Sequence, residues 1–268
     1  MLGQTLARPA VFALCLAGSL AAAEPAPVDW GATAGVRHRT LSEWSSTGTR
    51  LLTEKGLLPH LQVSAQLATP AWPTLAFEAG VTGGDLDYRG QTQSGVPLTT
   101  TTRHTDLELG VHWRPLPAAA WGEAWLGLDW LHARRDIASS PVAGGLAETS
   151  SLVLPGVRWR SPAFALPNTD NAKFQLEAQW RTSVRHRLDV DYLGVFDDSS
   201  LNGGRRSEAV LGLSVTSADV WRWSLEWSHS RQSASSSSAL FRGGVLVGSV
   251  QQPRVEIDDV SLLLTRRF

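Results

Sequence analysis

The sequence predicts an all-β protein, a transmembrane antiparallel up-and-down β-barrel of about ten strands. Three observations support this: long stretches of alternating apolar and polar residues, connections that alternate between short and long, and tryptophans that gather at one level. The chain has 268 residues, 43% hydrophobic and 18% charged, which excludes a disordered protein. With 24 Lys and Arg against 25 Asp and Glu, it also lacks the basic surplus of a nucleic-acid-binding protein.

Residues 1–23 have the pattern of a secretory signal peptide, because Arg8 precedes an apolar run that ends in small residues. The apolar run is shorter than the roughly 20 residues of a transmembrane helix. We therefore expect cleavage before Glu24 and a single barrel domain over residues 24–268. The only cysteine, Cys15, falls in the signal peptide, so the mature chain can form neither a disulfide nor a cysteine-ligated metal site.

Alternation with a period of two residues defines the strands, because such a segment has one apolar and one polar face. A soluble β-sandwich alternates in the same way, and totals of eight or twelve strands are the alternatives to ten. We place Leu240–Val250, another β-like segment, in an outer loop because an eleventh strand would make the total odd. The ten predicted strands are Trp30–Leu41, Leu57–Leu67, Leu75–Thr82, His104–Arg114, Trp121–Arg134, Thr149–Arg160, Lys173–Asp191, Arg205–Ser217, Trp221–Arg231 and Val255–Phe268.

The connections and the tryptophans favour the membrane barrel over the sandwich. Short turns alternate with long polar loops, as in barrels of bacterial outer membranes. The long loops are predicted at Ser42–Arg50, Gly83–Arg103, Arg135–Ala147, Tyr192–Gly204 and Gln232–Arg254. Amphipathic indole rings gather where hydrocarbon meets headgroups, so tryptophans near the short turns indicate a periplasmic girdle. These tryptophans are Trp30, Trp72, Trp113, Trp121, Trp159, Trp180, Trp221 and Trp223.

The chain ends in Val260–Phe268, a strand that runs into a terminal aromatic residue. This segment resembles the closing strand of bacterial outer-membrane β-barrel proteins. The resemblance implies a location in the outer membrane of a Gram-negative cell, contact with its lipid, and recognition of Phe268 by the barrel-assembly machinery. Arg266 departs from the pattern because it falls on the outward face.

The inward positions predict a filled lumen. Acidic and basic residues interleave there at similar heights, so we expect them to pair across neighbouring strands, and ten strands leave little spare width. A wide diffusion pore is therefore disfavoured. The charged inward residues are Glu78, Glu108, Glu123, Glu177, Glu208, Glu226, Arg114, Arg158, Arg160, Arg181 and Arg222.

Arginines at the predicted outer ends of the strands indicate contact with lipopolysaccharide, because the planar guanidinium suits phosphate. Pairing with acids such as Asp106 and Asp189 is the alternative role. The predicted lipopolysaccharide-binding residues are Arg37, Arg39, Arg134, Arg135, Arg185 and Arg187. The seven histidines fit no metal-ligand spacing, and we predict neither a metal nor a cofactor.

One acidic pair is the candidate for catalysis. Asp85 and Asp87 are two residues apart in a predicted outer loop, and two such carboxylates can orient and activate a water. The Asp-x-Asp-aromatic sequence after the third strand resembles the omptin outer-membrane proteases. That resemblance implies that Asp85 and Asp87 correspond to the water-activating pair. Omptins also carry an Asp-x-His after the seventh strand, which is absent here, since His186 precedes Asp189 and Asp191.

Three functions follow as hypotheses. The first is a small closed barrel with long extracellular loops that acts as a non-enzymatic surface or envelope protein. The second is an omptin-like protease, and the third is a narrow channel for small solutes. We favour the first because the polar segments Thr99–Thr102 and Ser233–Ser238 are typical of loops that meet solvent or a surface partner.

Overall fold

The computed structural model describes residues 28–69, 72–91, 95–141, 143–167, 169, 172–217 and 220–268, so the predicted signal peptide lies outside the described residues. The strands are β1 (Val28–Trp44), β2 (Arg50–Thr69), β3 (Trp72–Gln91), β4 (Pro97–Arg114), β5 (Glu123–Ile137), β6 (Leu146–Arg160), β7 (Phe164–Ala165), β8 (Lys173–Thr182), β9 (Arg185–Asp191), β10 (Ser199–Asn202), β11 (Arg206–Ser217), β12 (Trp221–Gln232), β13 (Ser238–Arg242), β14 (Val245–Val250) and β15 (Arg254–Arg267). Among the described residues, no helix is long and apolar enough to cross a membrane.

Ten antiparallel barrel strands close on themselves, as the sequence predicts. β1 to β6 pair in chain order, β8 and β9 together form the seventh barrel strand, and β10 and β11 form the eighth. β12 and β15 complete the barrel, and β15 pairs with β1 over fourteen residue pairs from Gly31–Arg267 to Trp44–Arg254. The wall is therefore closed through β1 and β15, and at its outer end β10 pairs with β9 on one side only among the described residues.

The register defines the size of the barrel. A path that starts at Val28 of β1 and moves from each residue to its partner on the next strand goes once around the barrel. It returns to β1 at Thr40, twelve residues further along. With ordinary strand spacing and rise, this stagger corresponds to a strand tilt of about 40° and a Cα diameter of about 20 Å. Such a barrel is only slightly wider than the eight-stranded barrels whose interiors are filled by side chains.

The seventh barrel strand contains a β-bulge. β8 and β9 are separated by Ser183 and Val184, and the register against β6 shifts by one residue across this break. Because side chains alternate, one extra residue inverts the facing of every residue that follows. His186 therefore points into the barrel, whereas Asp189 and Asp191 point outward.

The strands extend further outward than the sequence predicts. β1 and β2 continue to a tight turn at residues 45–49, and β3 and β4 remain paired up to Gln91 and Pro97. Much of two predicted loops, 42–50 and 83–103, is therefore barrel wall. Beyond the membrane both faces of a strand can be polar, and the apolar alternation that identifies a strand disappears there.

The last outer connection carries a small β-hairpin, β13 and β14, at the segment predicted to be β structure within a loop. Its turn is tied to the loop between β9 and β10. The Asp197 carboxylate accepts hydrogen bonds from the backbone N–H groups of Gly243 and Gly244, each at 2.8 Å. The Arg242 guanidinium lies over the Phe196 ring, 4.6 Å from its centroid.

An apolar belt surrounds the lower part of the barrel. On β4 it consists of Leu107, Leu109, Val111 and Trp113, which are all exposed, whereas the next outward residue is Thr105. Exposed tryptophans at the short-turn end include Trp30, Trp121, Trp221 and Trp223, while the side chain of Trp72 lies outside the described part. A continuous exposed belt with aromatic residues at its edge is stable only in contact with lipid.

Candidate functional site

Apolar side chains fill the outer part of the lumen. One cluster joins β1, β2, β3 and β15, and two smaller ones lie against β5 and β6 and against β9 and β10. The clusters contain Leu41, Leu52, Tyr88 and Val255; Leu131, Leu152 and Leu154; and Leu188, Val190 and Leu201. The first of these clusters could not be predicted, because Leu52 and Tyr88 lie outside the strands that the sequence predicts.

A buried ionic cluster crosses the lumen beside these apolar residues. Arg135 donates hydrogen bonds to Glu43 at 2.6 Å, to Glu54 at 2.7 and 3.0 Å, and to Glu148 at 2.8 Å. His104 donates from Nε2 to the other oxygen of Glu54 at 2.7 Å. The five side chains come from five strands, so the cluster ties β1, β2, β4, β5 and β6 together.

The Arg135 cluster lies outside the membrane-spanning segments, because the outward residues at its level, such as Ser42 and Lys55, are polar. Burial raises the pKa of Glu43 to about 7, against the opposing effect of Arg135. Burial also favours protonation of Glu54, but Arg135 and His104 outweigh it and hold the pKa of Glu54 at about 2. Glu43 is therefore the carboxyl group of this cluster that takes up a proton near neutral pH.

Two further ionic clusters occupy the middle of the lumen. Arg39 bonds Asp106 at 2.7 Å and Asp259 at 3.0 Å. Arg181 contacts Glu108, Asp129 and Glu208, and the last of these ion pairs measures 2.8 Å. Buried guanidinium groups with several carboxylate partners bridge strands that are not neighbours in the sheet.

The periplasmic half of the lumen also contains paired charges. Arg158 bonds Glu78 at 2.7 Å, Arg160 bonds Glu177 at 3.0 Å, and Arg114 contacts Glu123. The inward glutamates and arginines pair as predicted, but only Arg160–Glu177 and Arg114–Glu123 join neighbouring strands, whereas Arg158–Glu78 crosses from β6 to β3. A polar cavity of about 530 Å³ is lined by residues of these pairs and also by the residues of the Arg39 and Arg181 clusters.

The predicted catalytic pair lies on the outer face of the barrel wall. Asp85 and Asp87 are outward residues of β3, beyond the apolar belt. Arg103 of β4 donates to the Asp85 carboxylate from Nε at 2.9 Å and from Nη2 at 3.3 Å. This hydrogen bonding lowers the pKa of Asp85, so the carboxylate is a poor proton acceptor.

The acidic residues of the seventh barrel strand are remote from this pair. Three strands separate β3 from β9, so Asp189 and Asp191 are about 19 Å from Asp85 along the sheet at ordinary strand spacing. His186 faces the lumen, where the Gly204 carbonyl lies 2.9 Å from its Nδ1. The structure does not bring these residues together at one site.

The six arginines predicted to bind lipopolysaccharide divide between the two faces of the wall. Arg37, Arg39 and Arg135 point into the lumen, which corrects their assignment to an outward collar. Outward side chains are Arg134, Arg185 and Arg187. Side chains alternate between the two faces of a strand, so the adjacent Arg134 and Arg135 must face opposite sides. On β1 the positions that face the lumen include residues 37 and 39.

The outward arginines sit in a polar rim just above the belt. Arg134 pairs with Asp136 and Arg187 with Asp189, each at 2.9 Å. The ring of Trp130 stacks on His132 with centroids 5.6 Å apart, and Trp227 stacks similarly on His229. Aromatic residues beside basic ones are typical of an outer membrane–water interface.

Comparison with known proteins finds solved structures with a similar fold. No protein-family profile and no curated protein sequence matches the chain. The outer-membrane protease OmpT from Escherichia coli is similar in structure, with a TM-score of 0.54 and 11% identity over 91% of this chain and 98% of OmpT. The translocator domain of the autotransporter NalP from Neisseria meningitidis has a TM-score of 0.47 at 9% identity, covering 90% of this chain and 88% of that domain.

These identities are low enough that the likeness concerns the fold alone. Together with the closed ten-strand wall and the apolar belt, it defines the chain as a bacterial outer-membrane β-barrel. The predicted fold class and the predicted location in the outer membrane are confirmed.

Proposed function

We propose that this protein is a non-enzymatic, non-conducting surface barrel that spans the outer membrane and presents its outer rim and hairpin to the exterior. The observation that carries the proposal is the filled outer lumen, where apolar clusters and the Arg135 cluster leave little room for a solute path. The surface elements beyond it are then the part of the protein that is available to partners.

The Arg135 cluster supports the absence of conduction. A permeating ion would have to displace Arg135 from three carboxylates in a buried site. Such a displacement would leave carboxylates of the cluster without their cationic partner, which is unfavourable in a buried site.

The positions of the acidic residues do not favour proteolysis. Asp85 is engaged by Arg103, and β9 with Asp189 lies three strands away on the sheet. A hydrolytic site needs a carboxylate or imidazole within hydrogen-bond reach of a shared water. The omptin resemblance of Asp85 and Asp87 thus lacks the geometric partner that would make it a catalytic assignment.

The outer rim supports contact with lipopolysaccharide as the partner. Arg134, Arg185 and Arg187 face outward just above the belt, where phosphates of the outer leaflet are within reach of a guanidinium. At the other end, Phe268 has an exposed side chain and donates its backbone N–H to Trp30 O at 3.0 Å. We extend the proposal to recognition of Phe268 by the barrel-assembly machinery.

Two assays test the functional proposal. The refolded protein is inserted into a planar bilayer in 1 M KCl, with a porin as the positive control. We expect no current steps, and discrete steps abolished by heat denaturation would instead establish a channel.

In parallel, a fluorogenic dibasic peptide is incubated with refolded protein and lipopolysaccharide. We expect no cleavage, and cleavage that Asp85→Asn abolishes would establish the protease.

A further inference from the structure

Three cationic side chains gather on the outer face of β2 and β3, beyond the apolar belt. Arg50, Lys55 and Arg89 line a surface depression of about 530 Å³, together with Thr53 and Asp87. All three cations are exposed. None belongs to the arginines that the sequence predicted to bind lipopolysaccharide, because this part of the wall was expected to be loop.

This group differs in its charge balance from three outward arginines of the rim. Arg103, Arg134 and Arg187 each pair with an aspartate on the same face at 2.9 Å. Within the described part of the chain, no ion pair joins Arg50, Lys55 or Arg89 to an acid. Asp87 is opposite Lys55 in the register and is the one acidic residue lining the depression. The depression therefore carries a surplus of positive charge.

The height of the group above the membrane indicates what it can meet. Leu57 is the outermost residue of β2 among its exposed large apolar residues, and it is 62% exposed. Lys55 and Arg50 follow two and seven residues further out. With the rise and tilt of these strands, they lie about 5 and 18 Å above Leu57. This interval corresponds to the headgroup region of the outer leaflet and the sugars attached to it.

Building on the proposed contact with lipopolysaccharide, we propose that this depression binds phosphate groups on the saccharide headgroup of an outer-leaflet glycolipid. Arginine offers a planar fork to two phosphate oxygens, and lysine adds a mobile ammonium. Thr53 and Gln91 line the same depression and supply neutral donors. The volume of the depression, about 530 Å³, exceeds that of a sugar ring.

The test compares variants in their affinity for purified lipopolysaccharide. The triple variant Arg50→Gln, Lys55→Gln, Arg89→Gln is refolded and titrated with fluorescent lipopolysaccharide, untreated or dephosphorylated with phosphatase. We expect about tenfold weaker binding of untreated lipopolysaccharide, since three exposed charge contacts are lost. The affinity for the dephosphorylated form should be the same for the variant and the parent. Because all three side chains are exposed, heat-modifiable gel mobility should show that the variant still folds.

Control variants separate this inference from the general proposal. The double variant Arg103→Gln, Asp85→Asn removes an exposed but self-neutralised pair, and its binding should be unchanged. The variant Arg134→Gln, Arg187→Gln probes the rim contact on which the proposed function depends. If the triple variant binds normally while the rim variant loses affinity, the phosphate site is overturned and the proposed lipid contact stands. Inorganic pyrophosphate that binds the parent as tightly as lipopolysaccharide would overturn the glycolipid as the ligand.

Discussion

Arg135 of β5 and Glu54 of β2 are joined by two hydrogen bonds across the lumen, from Nη2 at 2.7 Å and from Nε at 3.0 Å. Two strands, β3 and β4, lie between them in the sheet. The contact thus spans the lumen, and Glu43 and Glu148 extend it to β1 and β6. The wall beyond the membrane is braced from inside by charges as well as by backbone pairing.

Removing the guanidinium should destabilise the barrel strongly. In Arg135→Ala, the buried Glu43 and Glu54 and the half-buried Glu148 lose their common partner, and we expect a loss of about 3–5 kcal/mol in the free energy of unfolding. Urea titration in detergent micelles, followed by tryptophan fluorescence, measures it. The control is the adjacent Arg134→Ala, which removes an exposed pair and should cost less than about 1 kcal/mol. Equal losses in the two variants would refute the bracing role.

The same cluster predicts a loss of stability at alkaline pH. The pKa of Glu43 is raised to about 7 from 4.5, so its contribution to stability is complete below pH 4.5 and is lost as the pH rises through 7. The pKa of Glu54 is lowered to about 2, so its contribution is lost only below pH 4.5. From pH 5 to pH 8 we expect the parent to lose up to about 3 kcal/mol. Glu43→Gln should show a much flatter profile, and an identical slope in both proteins would contradict the assignment.

Gly203 should not tolerate a side chain. A Cβ there would lie 2.0 Å from Nδ1 of His186, which packs across the glycine at the bulge. Gly203→Ala should therefore lose about 1–3 kcal/mol of stability, seen as a lower melting temperature in a heat-modifiability assay. Gly248→Ala is the control, because nothing lies within 4 Å of its added Cβ. The double variant Gly203→Ala, His186→Ala should recover most of the loss, and failure to recover would mean that the ring is not the obstacle.

The apolar belt predicts a depth-dependent cost for charge. Leu109→Arg introduces a cation in the belt on β4, and we expect it to cost about 2–4 kcal/mol in the free energy of unfolding from lipid vesicles. Thr101→Arg, on the same face of the same strand but beyond the belt, should cost about 0–1 kcal/mol. A similar cost at both positions would place the membrane boundary elsewhere.

Sequence patterns predict the membrane part of this fold well because two environments select opposite residues at alternate positions. Lipid selects Leu107, Leu109 and Val111, while the lumen selects Glu108 and Gly110. The inward charges could be recognised for the same reason. The pattern weakens where water covers the outside, and so the outer ends of β1 to β4 lie beyond the strands that the sequence predicts.

The candidate sites show the same limit. Asp85 and Asp87 were predicted to lie in a loop, where their direction is free, but the extended β3 holds both on its outer face. The sequence pattern assigns no inward or outward direction to the segments that contain Arg50, Lys55 and Arg89. The register of β2 against β3 is what brings them to one depression.

By itself the sequence determined the barrel architecture, which face of most strands meets lipid, and the charges in the periplasmic half of the lumen, because these depend on residue type at a period of two. Only the tertiary structure decided which charges meet. The twelve-residue stagger sets which strands face each other across the lumen, and the bulge at Ser183 and Val184 inverts the phase of β9. Both arise from long-range pairing between strands, and no local pattern of residues encodes that pairing.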